Sequence, residues 1–359
     1  MKKAKQIMFI LLFVCGICLP VPLWKVMGVS AESSDNRELA EKPMFSVENY
    51  GEFSSQYEDY FNDHLPFREQ LIETGAMTDF LLFKSSSDRV ISGKDGWLFY
   101  SVKYDGDPMA DYTGSNPISG VEMDAIARKC DELDRYMKER GGEFILFIAP
   151  NKERVYSEYM PEKYGLPAEN DNISRLVKYL KKHTDVKVVC CLDELAAVKE
   201  KISEPLYYKT DTHWNQIGAY AGSSLLLREL GVTLPELGSG ATPVVTGQDS
   251  GDLARLLHLS AYFAGADNEY EIDGFEIKGE RHDGEGYHSE ISYVCEDGDP
   301  RRVYVCRDSF GDAMVDYIGS CFAETKFVYQ QDFSFEDVKA FAPDVLVIEA
   351  VERYLRALQ

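Results

Sequence analysis

From residue 118 onward, short apolar runs alternate with segments whose apolar residues recur at helical spacing. The runs predict buried strands, at residues 143–149, 186–192, 302–306, 326–329 and 344–349. The segments between the runs predict helices, at residues 123–137, 171–183, 194–202, 216–230, from about 311 and at 335–341. Apolar strands that alternate with amphipathic helices are typical of an α/β fold, in which a mainly parallel sheet is flanked by helices on both faces.

Other stretches depart from this alternation. Residues 47–84 carry a helical pattern, and residues 90–100 are typical of a strand–turn–strand with a turn glycine. Residues 237–300 are rich in glycine and polar residues, and we interpret them as an inserted β-rich region. We therefore expect a linker and N-terminal helical segment over residues 32–89, and an α/β domain over residues 90–359.

The first 31 residues (1–31) carry the features of an export signal. Lysines precede 18 uncharged and mostly apolar residues, Ile7 to Trp24. Such a segment is either a signal peptide or an uncleaved anchor. Its length favours an anchor, since about 20 apolar residues span a bilayer, whereas the small residues Val29-Ser-Ala31 favour cleavage. In both cases we expect the rest of the chain to be extracytoplasmic, tethered to the membrane or secreted.

The charge of the chain narrows the choice of partners. The 359 residues carry a net charge of −23, and without the four lysines of residues 1–31 the net charge is −27. An acidic surface of this kind repels phosphate backbones. We therefore expect no nucleic-acid partner.

Neither the cysteines nor the histidine-containing loop predicts a metal site. The six cysteines after residue 31 permit disulfides in an exported chain, but their spacing does not fix a pairing. Cys130, Cys190 and Cys306 fall within helix or strand patterns, which favours buried positions. The segment Arg281–His288 holds two histidines and two acids at irregular spacing, which favours a solvated loop over a zinc site.

A serine follows the strand predicted at residues 302–306. Ser309 lies in Arg307-Asp-Ser-Phe-Gly311, at a strand-to-helix turn where a hydroxyl is exposed at the edge of the sheet. Backbone N–H groups of the following helix can bind the oxyanion of a tetrahedral intermediate. Alternatively, Ser309 and Asp308 serve only to cap that helix.

An Asp-x-His pair occurs about a hundred residues upstream of this serine. Because a neutral serine is a poor nucleophile, it needs a base. His213 can be that base, and Asp211 can orient its ring and stabilise the imidazolium. Alternatively, His213 is a structural histidine packed on Trp214. The pair and the serine together are more specific than either alone.

Four motifs resemble the DHHW family, relatives of the alginate O-acetyltransferase proteins with an SGNH-hydrolase-like (flavodoxin-like) domain. They are Asp211-Thr-His-Trp214, Gly93-Lys-Asp-Gly-Trp-Leu-Phe-Tyr100, Phe61-Asn-Asp-His-Leu-Pro-Phe-Arg68 and Asp308-Ser-Phe310. The resemblance spans about residues 36–359. It implies a Ser–His–Asp site in which Ser309 is the nucleophile, His213 the base and Asp211 the orienting acid. The chain departs from the family pattern because Arg-Asp, rather than a glycine-containing block, precedes the serine.

Further candidates follow the ends of other predicted strands, where ligands of parallel sheets bind. Asn151 is a candidate side-chain donor to the oxyanion, with a turn-forming asparagine as the alternative. Lys152, Trp214, Arg353 and Tyr354 are candidate substrate contacts. Arg353 and Tyr354 can equally be ordinary residues of a C-terminal helix.

The resemblance implies an O-acetyltransferase that acts on hydroxyls of an exported cell-surface polysaccharide. Relatives often receive acetyl groups from a membrane-bound O-acyltransferase, which is therefore the expected donor partner. The chemistry requires no cofactor and no metal. Two alternatives stay open, a carbohydrate esterase with the same triad and a non-catalytic polysaccharide-binding or assembly protein.

Overall fold

The computed structural model describes residues 2–18, 22, 26, 39–65, 68–82 and 87–359. The chain divides into two compact units, Met1–Lys84 and Ser85–Gln359. The first unit contains helices at Lys2–Cys18, Phe53–Asp63 and Arg68–Leu81. The helical pattern of residues 47–84 thus forms two of these helices.

The membrane anchor expected at the N-terminus is not found among the described residues. None of their helices is both long enough and apolar enough to cross a membrane. The described N-terminal helix is Lys2–Cys18. The expected cleavage site Val29-Ser-Ala31 lies outside the described residues.

A mixed sheet of seven strands forms the centre of the second unit. Its strands are β3 (Glu143–Ala149), β4 (Lys187–Cys190), β7 (Glu280–Asp283), β8 (Ile291–Val294), β9 (Asp299–Arg307), β10 (Phe322–Tyr329) and β11 (Val345–Val351). They lie side by side in the order β4-β3-β11-β9-β10-β8-β7. Strands β4, β3, β11, β9 and β10 are parallel, as the alternation of strands and helices predicts. The predicted hairpin also forms, from β1 (Val90–Ser92) and β2 (Leu98–Tyr100).

The region interpreted as an insertion contributes to the main sheet, which its polar composition did not predict. Its first half forms a separate hairpin of β5 (Thr242–Asp249) and β6 (Asp267–Asp273). Its second half supplies β7 and β8, which pair antiparallel beyond β10. Ile291 and Tyr293 of β8 are buried, while β7 is exposed along its whole length. A fully exposed edge strand carries no apolar alternation that a sequence pattern can detect.

Helices cover both faces of the sheet. They lie at Pro108–Thr113, Gly120–Lys138, Lys152–Val155, Asn172–His183, Leu192–Lys201, Gln216–Glu229, Asp252–Leu256, Val315–Gly319 and Phe335–Phe341. Alternate residues of β3 enter two different cores: Ile145 and Phe147 belong to one, and Leu146 and Ile148 to the other. Burial on both faces explains why β3 is a continuous apolar run in the sequence.

The register of the central strands brings three chain segments to one edge of the sheet. Ala149 of β3 pairs with Val351 of β11, and Ile348 of β11 pairs with Cys306 of β9. The residues that follow β3, β9 and β11 therefore emerge side by side at the carboxyl edge, where ligands of such sheets bind.

The segment that follows β9 differs from the expectation. Gly311–Met314 forms a 3₁₀ turn, and the α-helix begins only at Val315. That helix has five residues, so a helix dipole contributes less behind Ser309 than the sequence suggested.

Candidate active site

Two anchors hold the loop that carries Asp211 and His213. The Trp214 indole is buried and donates from Nε1 to the Phe310 carbonyl at 3.0 Å. The Asn215 side chain accepts from the N–H groups of Ile217 and Gly218, which caps the helix Gln216–Glu229. Trp214 thus joins this loop to the turn after β9. Its buried position does not support the expected substrate contact.

The structure places Ser309, His213 and Asp211 in a hydrogen-bonded row. The Ser309 Oγ lies 2.9 Å from His213 Nε2. The other ring nitrogen, His213 Nδ1, lies 2.6 Å from Asp211 Oδ1. The imidazole is 30% exposed and the Asp211 carboxylate 17% exposed. A base is thus in contact with a hydroxyl while the site stays accessible to a ligand.

The electrostatics of Asp211 suit an orienting role. Burial raises the pKa of this carboxyl, but the hydrogen bond and charge of His213, together with N–H groups of Asp252 and His213, hold it well below its usual range. An ionised carboxylate accepts a hydrogen bond from the N–H at His213 Nδ1. Nε2 is then left without a proton and can accept one from the Ser309 hydroxyl.

Asp252, which the sequence did not single out, supports the same loop. Its carboxylate accepts from the Thr212 N–H at 2.8 Å and from the Thr212 hydroxyl at 2.7 Å. Its own N–H donates to Asp211 Oδ2 at 2.8 Å. Ser250-Gly-Asp252 has the composition of an ordinary turn, so the sequence carried no signal for this contact.

Gly251 permits the close approach of these two segments. A Cβ atom at this position would lie 2.3 Å from Asp211 Cβ and 2.5 Å from Asp211 N. No larger residue fits here without moving Asp211. The carboxylate is therefore positioned by backbone contact as well as by hydrogen bonds.

Asp211, His213 and Asp252 form the one group in the described part of the chain whose ligand atoms lie close enough together to hold a metal ion. All four carboxylate oxygens of this group, however, accept hydrogen bonds from the protein. The arrangement therefore fits a network that orients His213. The two histidines of Arg281–His288 lie beside different acids. His282 Nε2 is 3.8 Å from Glu280 Oε2, and His288 Nδ1 is 3.6 Å from Asp312 Oδ2.

Lys152 supports the loop from behind. Its ammonium is buried and donates to the carbonyls of Tyr208, Lys209 and Asp211 at 3.2, 3.2 and 2.5 Å. Burial lowers the pKa of Lys152 to about 8, although the negative charges of nearby acids act to raise it. Because three donors are satisfied within the protein, the geometry supports loop positioning rather than substrate contact.

Two buried carboxyl groups brace the turn that carries Ser309. Asp308 accepts from the Phe310 N–H at 2.8 Å and from the Val351 N–H at 2.7 Å, which ties the turn to the end of β11. Glu349 of β11 accepts from the Asp308 N–H at 2.9 Å. Burial, and then the charge of Asp308, raise the pKa of Glu349 well above its usual value.

This raised pKa gives a prediction about stability and pH. In the unfolded chain Glu349 loses its proton near its usual pKa of about 4.3, whereas the folded protein retains the proton to higher pH. The unfolding free energy contributed by this group therefore falls as pH rises above about 4.3. In Glu349→Gln, which has no proton to lose, we expect a smaller decline between about pH 5 and pH 8, measured by urea unfolding.

Glu349→Ala is the matched comparison. It leaves the buried Asp308 N–H unpaired, so we expect it to cost about 1–3 kcal/mol at about pH 5. The cost should be smaller at about pH 8, because this variant also lacks the titrating carboxyl. Equal pH slopes for the wild type and Glu349→Gln would contradict the protonated state of Glu349.

The remaining candidates lie at the same carboxyl edge. Asn151 is 2% exposed, and neither atom of its side-chain amide has a hydrogen-bond partner among the described residues. The Arg353 guanidinium lies 5.2 Å from the Phe310 ring centre, beside the serine turn. Tyr354 donates its hydroxyl to Asp105 at 2.8 Å. A buried side-chain amide without a hydrogen-bond partner, such as that of Asn151, is unusual. A ligand can form the missing hydrogen bonds.

Comparison with known proteins places this geometry in context. Residues 90–279 match the family model described as the SGNH hydrolase-like domain of acetyltransferase AlgX. The match includes Asp211 and His213 and ends before Ser309. The probable alginate O-acetylase AlgJ of Pseudomonas syringae pv. tomato is 23% identical over 270 residues. The alignment covers 74% of this chain and 63% of that relative, so the chain spans less than two thirds of its length.

Solved structures share the fold. Bacillus cereus PatB1 superposes with a TM-score of 0.52 at 16% identity, over 75% of this chain and 97% of that chain. A DHHW family protein from Eubacterium siraeum superposes with a TM-score of 0.50 at 16% identity, over 74% and 94%. The resemblance drawn from the motifs is thereby confirmed, as is the SGNH-like α/β fold.

Proposed function

Because the chain belongs to the family of SGNH hydrolase-like domains described for acetyltransferase AlgX, we propose that it is an O-acetyltransferase acting on hydroxyls of an exported polysaccharide. One observation carries the proposal: the hydrogen-bonded row of Ser309, His213 and Asp211 at the carboxyl edge of the sheet. This constellation activates a serine for acyl transfer on unrelated folds.

The proposed reaction proceeds through an acetyl-enzyme. Ser309 Oγ attacks the carbonyl carbon of an acetyl donor while His213 Nε2 takes the hydroxyl proton. The bond to the donor leaving group breaks, and His213 returns the proton to that group, which leaves acetyl-Ser309. A sugar hydroxyl then attacks the acetyl carbonyl as His213 removes its proton. The acetyl ester passes to the sugar, and Ser309 recovers its proton.

Asn151 is proposed as a donor to the oxyanion of both tetrahedral intermediates. It follows β3 by two residues, as Ser309 follows β9, and its amide is buried with no partner among the described residues. Removal of one such donor typically costs about 10²–10³ in kcat. We therefore expect Asn151→Ala to lower kcat for an activated acetyl ester by about that factor with little change in KM.

A matched control for Asn151→Ala is Ser223→Ala, which removes another buried polar group without a partner in the described structure. Ser223 lies within the helix Gln216–Glu229, away from the strand ends. An equal loss of kcat in both variants would remove Asn151 from the mechanism.

The proposed partners follow from the chemistry and from the relatives. The acceptor is a polysaccharide outside the cytoplasm, and the acetyl donor is supplied by a membrane-bound O-acyltransferase. Alginate is the polysaccharide in the name of the AlgJ relatives. The serine chemistry proposed for this chain does not depend on which glycan accepts the acetyl group or on which molecule donates it.

The test uses the whole purified protein with 4-nitrophenyl acetate as the donor. Nitrophenol release reports formation of the acetyl-enzyme, and mass spectrometry of added oligosaccharides reports transfer. Acetylated oligosaccharide in place of free acetate is the expected result. Free acetate alone, at every acceptor concentration, would identify a carbohydrate esterase. A folded protein that forms no acetyl-enzyme would favour a polysaccharide-binding role.

A further inference from the structure

Three aromatic rings, here called the stack, contact one another in series at the carboxyl edge of β10. The Tyr329 ring is packed in parallel against the His288 ring, with centroids 3.8 Å apart and an angle of 10° between the planes. The Tyr287 ring contacts the His288 ring with centroids 3.7 Å apart, and the two planes are tilted by 47°. Tyr329 is 8% exposed, whereas Tyr287 is 92% exposed. His288 thus contacts both the buried ring of Tyr329 and the exposed ring of Tyr287.

This stack is connected to the turn that carries Ser309. The Arg307 guanidinium lies 5.6 Å from the Tyr329 ring centre, donates to the Ser289 carbonyl at 3.0 Å and contacts the Asp312 carboxylate. Asp312 also lies 3.6 Å from His288 Nδ1. The stack is therefore fixed to residues on both sides of Ser309.

The conformation of the loop is also specific. His288 has a φ of 59°, a left-handed value that is uncommon for residues other than glycine. Burial lowers the pKa of His288, and the charge of the Asp312 carboxylate, 3.6 Å from its ring, opposes that shift. Strained backbone of this kind persists where surrounding contacts hold it, and it often marks a ligand site.

We infer that Tyr287, supported by His288 and Tyr329, forms an acceptor subsite that stacks on a sugar ring next to Ser309. The inference rests on the proposed acetyl transfer. The face of an aromatic ring is electronegative, so it attracts the C–H face of a sugar and the ammonium group of an amino sugar. A tyrosine that is exposed in the free protein and supported from behind presents such a face without rearrangement.

Charge selects the class of sugar. The protein carries a net charge of −23, and the exposed Glu285 lies two residues before Tyr287. The neighbouring acids Asp283 and Glu290 are paired with Arg281 and Lys326 at 2.9 Å, so they add little net charge. A polymer of uronic acids brings one carboxylate per ring and is repelled by such a surface. The acceptor assigned to this subsite is therefore a glycan whose rings are uncharged or bear amines, in contrast to the polyuronate in the name of the AlgJ relatives.

Binding is tested with three pentasaccharide probes, a neutral cellopentaose, a glucosamine pentamer and a galacturonate pentamer. Saturation-transfer NMR and calorimetry on the wild-type protein give affinities that do not depend on catalysis. We expect the neutral or amine-bearing probe to bind more tightly than the galacturonate, by a margin that shrinks as salt is added. Tighter binding of galacturonate at low salt, or no binding of any probe, would overturn the inference.

The subsite itself is tested with Tyr287→Ala. Stacking of this kind contributes about 1 kcal/mol, so we expect the affinity for the preferred probe to fall about fivefold. Tyr287→Phe retains the ring and should bind like the wild type. Tyr262→Ala removes a half-exposed tyrosine elsewhere in the sequence, which packs on Phe263. The inference fails if Tyr287→Ala binds the probe like Tyr262→Ala.

The donor half of the reaction separates this inference from the proposed function. Nitrophenol release by the wild-type protein without an acceptor depends on Ser309 and reports the donor half alone. Wild-type protein that forms no acetyl-enzyme would refute the acetyl transfer. Wild-type protein that forms one, but loses no probe affinity in Tyr287→Ala, would refute the subsite alone.

Discussion

Ser309→Ala is expected to lower turnover of 4-nitrophenyl acetate by about 10⁴–10⁶-fold and to abolish the acetyl adduct. Loss of the nucleophile of a serine triad removes the covalent route altogether, and the residual rate comes from binding and oxyanion stabilisation. The Ser309 hydroxyl is the group in contact with His213 Nε2, at 2.9 Å. Initial rates and the intact mass of the quenched protein measure the two effects.

The fold should survive this substitution. Among the described residues, the Ser309 side chain makes no hydrogen bond other than the one it donates to His213. The turn itself is held by Asp308 and Glu349. Ser309→Ala should therefore unfold at the urea concentration of the wild type. An acetyl adduct that forms on Ser309→Ala as fast as on the wild type would exclude Ser309 as the nucleophile.

Asp211→Asn is expected to lower kcat by about 10⁴-fold, with little change in KM. The neutral amide can donate to His213 Nδ1, which favours the tautomer with the proton on Nε2. That tautomer cannot accept the Ser309 proton, although the atoms stay in place. Steady-state kinetics with 4-nitrophenyl acetate measure the loss.

Controls separate this tautomer effect from a general loss of charge. Asp249→Asn removes an exposed carboxylate at the end of β5 and should leave kcat unchanged. Thr212→Val removes the hydroxyl that donates to Asp252, so it should loosen the loop and have a smaller effect than Asp211→Asn. If Asp211→Asn retained more than a tenth of wild-type kcat, His213 would not depend on Asp211 for its tautomer.

Local pattern in the sequence determined most of the central strands and their helices. The run Glu143–Ala149 predicts β3 at its observed bounds, and the helix at 335–341 also agrees with the structure. Both predictions succeed because burial restricts the residues themselves: burial of both faces makes β3 a continuous apolar run, and burial of one face gives the helix its helical spacing. The exposed strand β7 imposes no such period, and its place in the main sheet was missed.

The candidate site was likewise predicted only in part from the sequence. Asp211 and His213 are two residues apart, so the sequence alone presents them as a pair on one loop. The contact between His213 and Ser309 spans 96 positions, and it depends on the register that aligns β9 with β11 and on the bond from Trp214 to Phe310. The sequence contained both groups, and the motifs suggested that they act together. Only the packing of the chain decided their distance.

The supporting residues could not be identified without the tertiary structure. Asp252 and Gly251 belong to a turn of ordinary composition, yet they lie against Asp211 because the insertion folds back onto the loop. The alternation of apolar residues thus determined which segments form the sheet, and the Asp-x-His spacing determined part of the chemistry. The fold decided which distant groups meet, because hydrogen bonds and close backbone contacts between remote segments leave no periodic trace in the sequence.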